Sequence, residues 1–218
     1  MATPEIETFT LGPFATNCYV VSLGGSTDRA CWIVDASFGP GVMIDWVKER
    51  GLKPAALILT HAHADHIAGV EEVRRAFPGI EVMLHRAEAA FLGDPVLNLS
   101  AGFPPYVKCG AAERLLEGGE TLELSGTHWR VLHTPGHSPG GITLVHDGSG
   151  TALVGDTLFF GSVGRFDFPT SDEAALVRSI REVLDRLPES TKVLPGHGPP
   201  TDIGREKRMN QFVRAEKA

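Results

Sequence analysis

The sequence predicts an α/β layered domain, and three observations lead there. Short apolar runs of strand length alternate along the chain with amphipathic segments of helix length. Four of the strand-like runs end in a loop that carries a histidine or aspartate beside glycine or alanine. No low-complexity linker or internal repeat interrupts the pattern, so the 218 residues read as one domain, 1–218, long enough to bury a substantial core.

From the N-terminus, strands are expected over 17–23 and 31–35, separated by a turn of Gly24, Gly25, Ser26 and Asp28. Val42, Met43, Trp46 and Val47 recur at helical spacing, which predicts a helix over 41–50 that stops at Gly51. The run ALILT at 56–60 is continuously apolar, the mark of a buried strand. There follow a helix over 67–77 closed by Pro78 and Gly79, a strand over 81–84 and a short helix over 87–92. Residues 93–110 contain Pro95, Gly102, Pro104 and Pro105 and no period. They read as a long loop, a class often tied to function. Strands are expected over 121–124, 128–133, 141–146 and 151–154. A helix over 172–187 takes Ser171 as its N-cap and Pro188 as its stop. Residues 192–194 form the last strand, and a terminal helix begins at Gly204.

Composition narrows the function classes. The net charge is −7 and no basic run stands out, which argues against nucleic-acid or anionic-membrane partners. No apolar stretch is long enough to span a bilayer. The first residues carry Glu5 and Glu7 in place of a basic-then-apolar signal, so a cytoplasmic location is expected, and a secreted β-lactamase is disfavoured. Cys18, Cys31 and Cys109 form no C-x-x-C pair and read as reduced, buried side chains.

The decisive segment is Thr60-His61-Ala62-His63-Ala64-Asp65-His66. It places four metal-binding side chains directly after the buried run ALILT, and three of the chain's nine histidines fall in it. Imidazole and carboxylate together suit Zn, Fe or Mn better than Ca or Mg. His137 in Thr134-Pro135-Gly136-His137, Asp156 after Ala152-Leu153-Val154, and His197 in Leu194-Pro195-Gly196-His197 repeat the placement. Each follows an apolar run and sits beside glycine, which allows close backbone approach. His85, His128, His133 and His146 lack such neighbours and read as structural.

The string THAHADHIAG, then TPGHSPG, GDTLFFGSVGRFDFP and LPGHGP, resembles the metallo-β-lactamase superfamily. Within it, the chain is similar to the short bacterial type II glyoxalases, the hydroxyacylglutathione hydrolase-like branch. The resemblance covers nearly the whole chain. It implies an αβ/βα four-layer sandwich, two β-sheets faced by helices. It also implies two divalent metal ions, zinc first, with iron or manganese acceptable to the same donors. In that scheme His61, His63 and His137 bind one ion, Asp65, His66 and His197 bind the other, and Asp156 bridges them. The implied chemistry is hydrolysis of a thioester such as S-lactoylglutathione by hydroxide formed at the metals, with Asp65 also orienting the nucleophile. An intact set of seven donors argues against a non-catalytic metal-binding module.

The partner is therefore expected to be a small-molecule thioester, glutathione-derived in the family's pattern. Two features leave the glutathione part open. Gly164-Arg165-Phe166-Asp167-Phe168 has Arg165 where the larger glyoxalases carry Lys; Arg165 either binds substrate or pairs locally with Asp167. The larger enzymes also extend past the last histidine into a helical domain, whereas here a short tail with Arg205, Lys207 and Arg208 follows His197. A mononuclear-iron persulfide dioxygenase shares the His-x-His-x-Asp-His string and remains the rival. The ending Pro195-Gly196-His197-Gly198-Pro199 favours the hydrolase. Lactone or ester hydrolysis on the same fold is a further alternative.

Overall fold

The structure, a computed structural model, describes residues 3–214, apart from the side chains of Leu184 and Arg214. Two six-stranded sheets dominate it. The first runs β1 (Pro4–Leu11), β2 (Thr16–Leu23), β3 (Ala30–Val34), β4 (Lys53–Ile58), β5 (Glu81–His85) and β6 (Arg114–Leu116) in spatial order. Its first three strands are antiparallel, and β3 to β6 are parallel. The second sheet contains β7 (Thr121–Leu124), β8 (Thr127–His133), β9 (Ile142–His146), β10 (Thr151–Gly155), β13 (Lys192–Pro195) and β14 (Thr201–Asp202). A small hairpin, β11 (Leu158–Phe159) and β12 (Ser162–Val163), follows Asp156.

Side-chain alternation explains the layers. In β2, Tyr19 and Val21 face the second sheet and, with Trp32 of β3, pack among Trp129, Val131 and Leu144. Cys18 and Val20 point the other way and pack with Met43, Ile44 and Val47 of α1 (Gly41–Glu49) and with Val70 and Val73 of α3 (Val70–Ala76). In β10, Leu153 joins the inter-sheet core, while Ala152 and Val154 pack on Leu176, Ile180 and Val183 of α4 (Glu173–Arg186). Period-2 strands with two apolar faces thus build helix, sheet, sheet and helix in turn, the four-layer architecture the sequence resemblance implies. The chain continues into α5 (Ile203–Met209) and α6 (Gln211–Arg214). Among the described residues, no helix is long and apolar enough to cross a membrane.

Several local expectations are corrected. The strand β1 escapes a sequence reading because Glu5, Glu7, Thr8 and Thr10 are exposed on an edge strand. The helix expected over 67–77 is two: α2 (Ala64–Ile67) and α3, broken at Gly69. There the chain is pressed against the loop after β3. The Gly69 amide donates to Ala36 O at 2.7 Å, and a β-carbon would stand 2.5 Å from Ser37 O. The helix expected over 87–92 is a single 3-10 turn, Arg86–Glu88, because Glu88 turns into the interior. The α4 cap is Asp172, whose carboxylate accepts from the Ala175 amide at 2.8 Å; Ser171 donates instead to His137 O at 2.7 Å. Strands β6, β11, β12 and β14 span two or three residues each, too short to show a period.

Candidate metal centre

All seven predicted donors converge at one end of the two sheets. His61, His63, Asp65 and His66 follow β4, His137 follows β8, Asp156 follows β10, and His197 follows β13. Three groupings bring their donor atoms within 4.8 Å of one another: His61 with His63 and His137, Asp65 with His66 and His197, and His61 with His66 and Asp156. Asp156 stands among them. Its Oδ2 lies 3.5 Å from His137 Nε2 and 3.4 Å from His197 Nε2, and its Oδ1 lies 3.5 Å from His66 Nε2. Asp65 Oδ2 is 3.2 Å from His197 Nε2 and 3.5 Å from His66 Nε2. Donors about 2.1 Å from a tetrahedral ion stand about 3.4 Å apart, so this spacing suits a shared cation.

One device aims the imidazoles. His66 Nδ1 lies 2.8 Å from Asp35 Oδ2, His137 Nδ1 2.8 Å from Arg165 O, and His197 Nδ1 3.1 Å from Phe14 O. His61 Nδ1 meets Thr60 Oγ1 at 3.2 Å, and that hydroxyl is itself spent on Asp35 at 2.7 Å. These acceptors hold the proton on Nδ1 and turn each Nε2 lone pair toward the cluster. His63 is reversed: its Nδ1 faces His137 Nε2 at 2.9 Å.

Electrostatics fits metal ions. His61 Nε2, His66 Nε2 and Asp156 Oδ1 are buried without a hydrogen-bond partner, a costly arrangement unless a cation satisfies them. Burial, then the neighbouring imidazoles, holds His61 well below the usual histidine range and His63 down to about 3. Both are thus neutral, as ligands must be. Burial alone would lower His197, but the Asp156 and Asp65 carboxylates raise it to about 10. Burial would raise Asp65, yet His66 and His197 bring it down to about 2. The carboxylates around the second cluster thus favour positive charge there.

The surrounding frame contains residues that sequence reasoning missed. Asp35, buried at the end of β3 with φ of +61°, accepts from Thr60 N, Thr60 Oγ1 and His66. It repeats the acidic-residue-after-strand placement of Asp156, which is the signal that could have found it. Glu88 is fully buried; Ala62 N donates to its Oε2 at 2.5 Å and Gly140 N to its Oε1 at 2.7 Å. It ties the loop of His61 and His63 to the loop of His137, and its Ala-rich neighbourhood gives no sequence cue. Thr16 Oγ1 donates to Asp65 Oδ2 at 2.8 Å. Asn17 and Tyr19 hold the last ligand loop through Pro195 O. His133 and His85 stack at 3.9 Å, and His133 Nε2 meets Pro139 O, a structural use.

Arg165 lies at the rim of the cavity over the cluster, paired with Asp167 through two contacts of 2.9 Å and stacked on Phe168 at 4.4 Å. The tail places Arg205 on Phe160 and Glu206, and Arg208 on Glu189.

A model of the metallo-beta-lactamase superfamily matches residues 11–197, and the chain belongs to that superfamily. A probable metallo-hydrolase, YqgX of Bacillus subtilis, is 40% identical over 205 residues, which cover 93% of this chain and 94% of the relative. The hydroxyacylglutathione hydrolase GloC of Haemophilus influenzae is 32% identical over 214 residues, 97% of this chain and 99% of that protein. Among solved structures, the BLEG-1 B3 metallo-beta-lactamase superposes with a TM-score of 0.89 at 38% identity, covering 96% of this chain and 99% of that one. Family and geometry together define a metallo-hydrolase-superfamily enzyme with a divalent-metal site of His and Asp donors.

Proposed function

We propose that the chain is a binuclear metallohydrolase that cleaves thioesters of the S-lactoylglutathione kind. The observation that carries this is the position of Asp156, whose Oδ2 lies within 3.5 Å of both His137 and His197 and whose Oδ1 lies 3.5 Å from His66, so that one carboxylate meets histidines of both sets. In this reading His61, His63 and His137 hold one ion, Asp65, His66 and His197 hold the second, and Asp156 is shared. Zinc is the resident metal proposed, and iron or manganese suits the same donors. Bound divalent ions supply hydroxide near neutral pH and draw charge onto a carbonyl oxygen.

The protein's own groups do the rest. In this reading Asp65, which accepts a hydrogen bond from Thr16, takes the proton of the attacking water. Asp35, Arg165 O and Phe14 O keep the imidazole protons on the far side of each ring. Arg165 stands at the rim as the proposed contact to the thiol half of the substrate. A thiolate leaves without a dedicated proton donor. The similarity to hydroxyacylglutathione hydrolase GloC supports the thioester assignment.

The test is metal content with turnover. Protein purified without added metal is expected to carry about two ions per chain and to release thiol from S-lactoylglutathione. Chelation should abolish the activity, and metal should restore it. A metal content near zero sinks the proposal. Oxygen uptake with glutathione persulfide, without thioester cleavage, moves the chain to the dioxygenase class. One observation favours a second reading as an ester, lactone or lactam hydrolase: the similarity to the BLEG-1 B3 metallo-beta-lactamase. Nitrocefin and a simple lactone in the same assay decide it.

A further inference from the structure

The cavity over the metal cluster is about 430 Å³, within the range of small-molecule sites. Apart from Asn98 and Arg165, its walls beyond the ligands are hydrocarbon. Phe168 packs edge-on against His63 and His137 at 5.3 and 5.6 Å, and Phe159 packs against His197 at 6.0 Å. Leu99, Phe103 and Phe14 line it as well, the last two in contact at 5.4 Å.

The 93–110 loop contributes Asn98, Leu99 and Phe103 to the lining. Asn98 is fully buried. Its side-chain amide donates to Phe91 O and Val107 O, its Oδ1 accepts from Ser100 N, and its carbonyl accepts from Ala64 N at 2.9 Å. Asn98 therefore lines the cavity with both side-chain amide hydrogens already spent on the backbone. It also fixes Leu99 in the left-handed region, with φ of +68°, a conformation that an aliphatic residue adopts only where its surroundings impose it.

Charge is scarce. Beyond the metal donors, Arg165 is the one Arg or Lys side chain lining the cavity among the described residues, and Asp167 and Phe168 already engage it. Glutathione carries two carboxylates and an ammonium, and recognition of such groups needs opposed charges in the site. The cavity offers aromatic and aliphatic surface instead.

From these walls, and resting on the thioesterase assignment above, we infer that the site selects thioesters with a bulky apolar acyl group and does not recognise the thiol half as glutathione. The reaction is hydrolysis. The oxygen of water bonds to the acyl carbon and the C–S bond breaks with its electron pair on sulfur. A carboxylate, a thiol and a proton result.

Four substrates test this: the phenylacetyl and lactoyl thioesters of glutathione and of N-acetylcysteamine, each on the metal-loaded enzyme. Exchanging lactoyl for phenylacetyl is expected to raise kcat/KM at least about tenfold, the scale on which apolar pockets discriminate. Exchanging the thiol is expected to change it less than about threefold. Phe103→Ala and Leu99→Ala should collapse the acyl ratio. That ratio is taken between two substrates on one protein sample, so partial misfolding cancels. A calorimetric readout without turnover uses the metal-free protein: S-phenylacetyl-N-acetylcysteamine should bind and glutathione should not. A kcat/KM highest for S-lactoylglutathione, or glutathione binding at least as tight, overturns the inference and leaves the thioesterase assignment standing. Cleavage of none of the four overturns both.

Discussion

Asp156 and Asp35 do different work with the same group. Asp156 faces the histidines of both donor sets directly. Replacing it with Ala is expected to lower bound metal below one ion per chain and kcat by about a thousandfold, read by elemental analysis and steady-state kinetics. The Asp35 carboxylate meets the far side of His66 and the loop at Thr60. Asp35→Asn should weaken metal binding about 10- to 100-fold while the fold persists, measured by competition with a chromogenic chelator. Unchanged affinity would reject its orienting role. Gly196 shows why the ligand loops are glycine-rich: a β-carbon there would strike Asp156 Oδ1 and the His66 ring. The seven donors were legible in the sequence because each is a histidine or aspartate placed after an apolar run. Glu88 was not, because a buried carboxylate that accepts two backbone amides leaves no pattern along the chain.

At the scale of elements, the ligand loops are held by neighbours remote in sequence. Glu88 joins two of them, and Glu88→Ala leaves two buried amides without acceptors. A loss of roughly 2–4 kcal/mol is expected in chemical denaturation. A change under 0.5 kcal/mol would show the carboxylate to be dispensable. The start of α4 is bound to the His137 loop as well, through Asp172 N to Gly136 O at 2.8 Å and Ser171 Oγ to His137 O. Asp172→Ala removes the cap and should cost about 1 kcal/mol, a fall of about 2–4 °C in Tm by calorimetry. The long strands β2, β4, β8 and β10 were readable because burial on one or both faces imposes an apolar pattern. Edge strand β1 and the two-residue strands were hidden because solvent or shortness removes that pattern. The split between α2 and α3 arises from a backbone collision with the loop after β3, a tertiary constraint with no local period.

At the scale of the molecule, the two sheets meet twice: in the core around Trp32 and Trp129, and at the metal centre. Asp35, His61, His63, Asp65 and His66 come from the side of the first sheet, while His137, Asp156 and His197 come from that of the second. Metal bound there favours the native state alone. Loading to a hundred times Kd should stabilise by about 2.7 kcal/mol, seen as a Tm that rises with metal and falls with chelator. A Tm indifferent to both would mean that the donors do not cooperate across the sheets. The donor order along the chain has a further consequence for synthesis. A growing polypeptide shows four donors by residue 66 but cannot complete either set before His137 and His197 are made. On the assignment proposed above, metal capture waits for both halves of the chain, so that only a protein with both sheets assembled holds its ions.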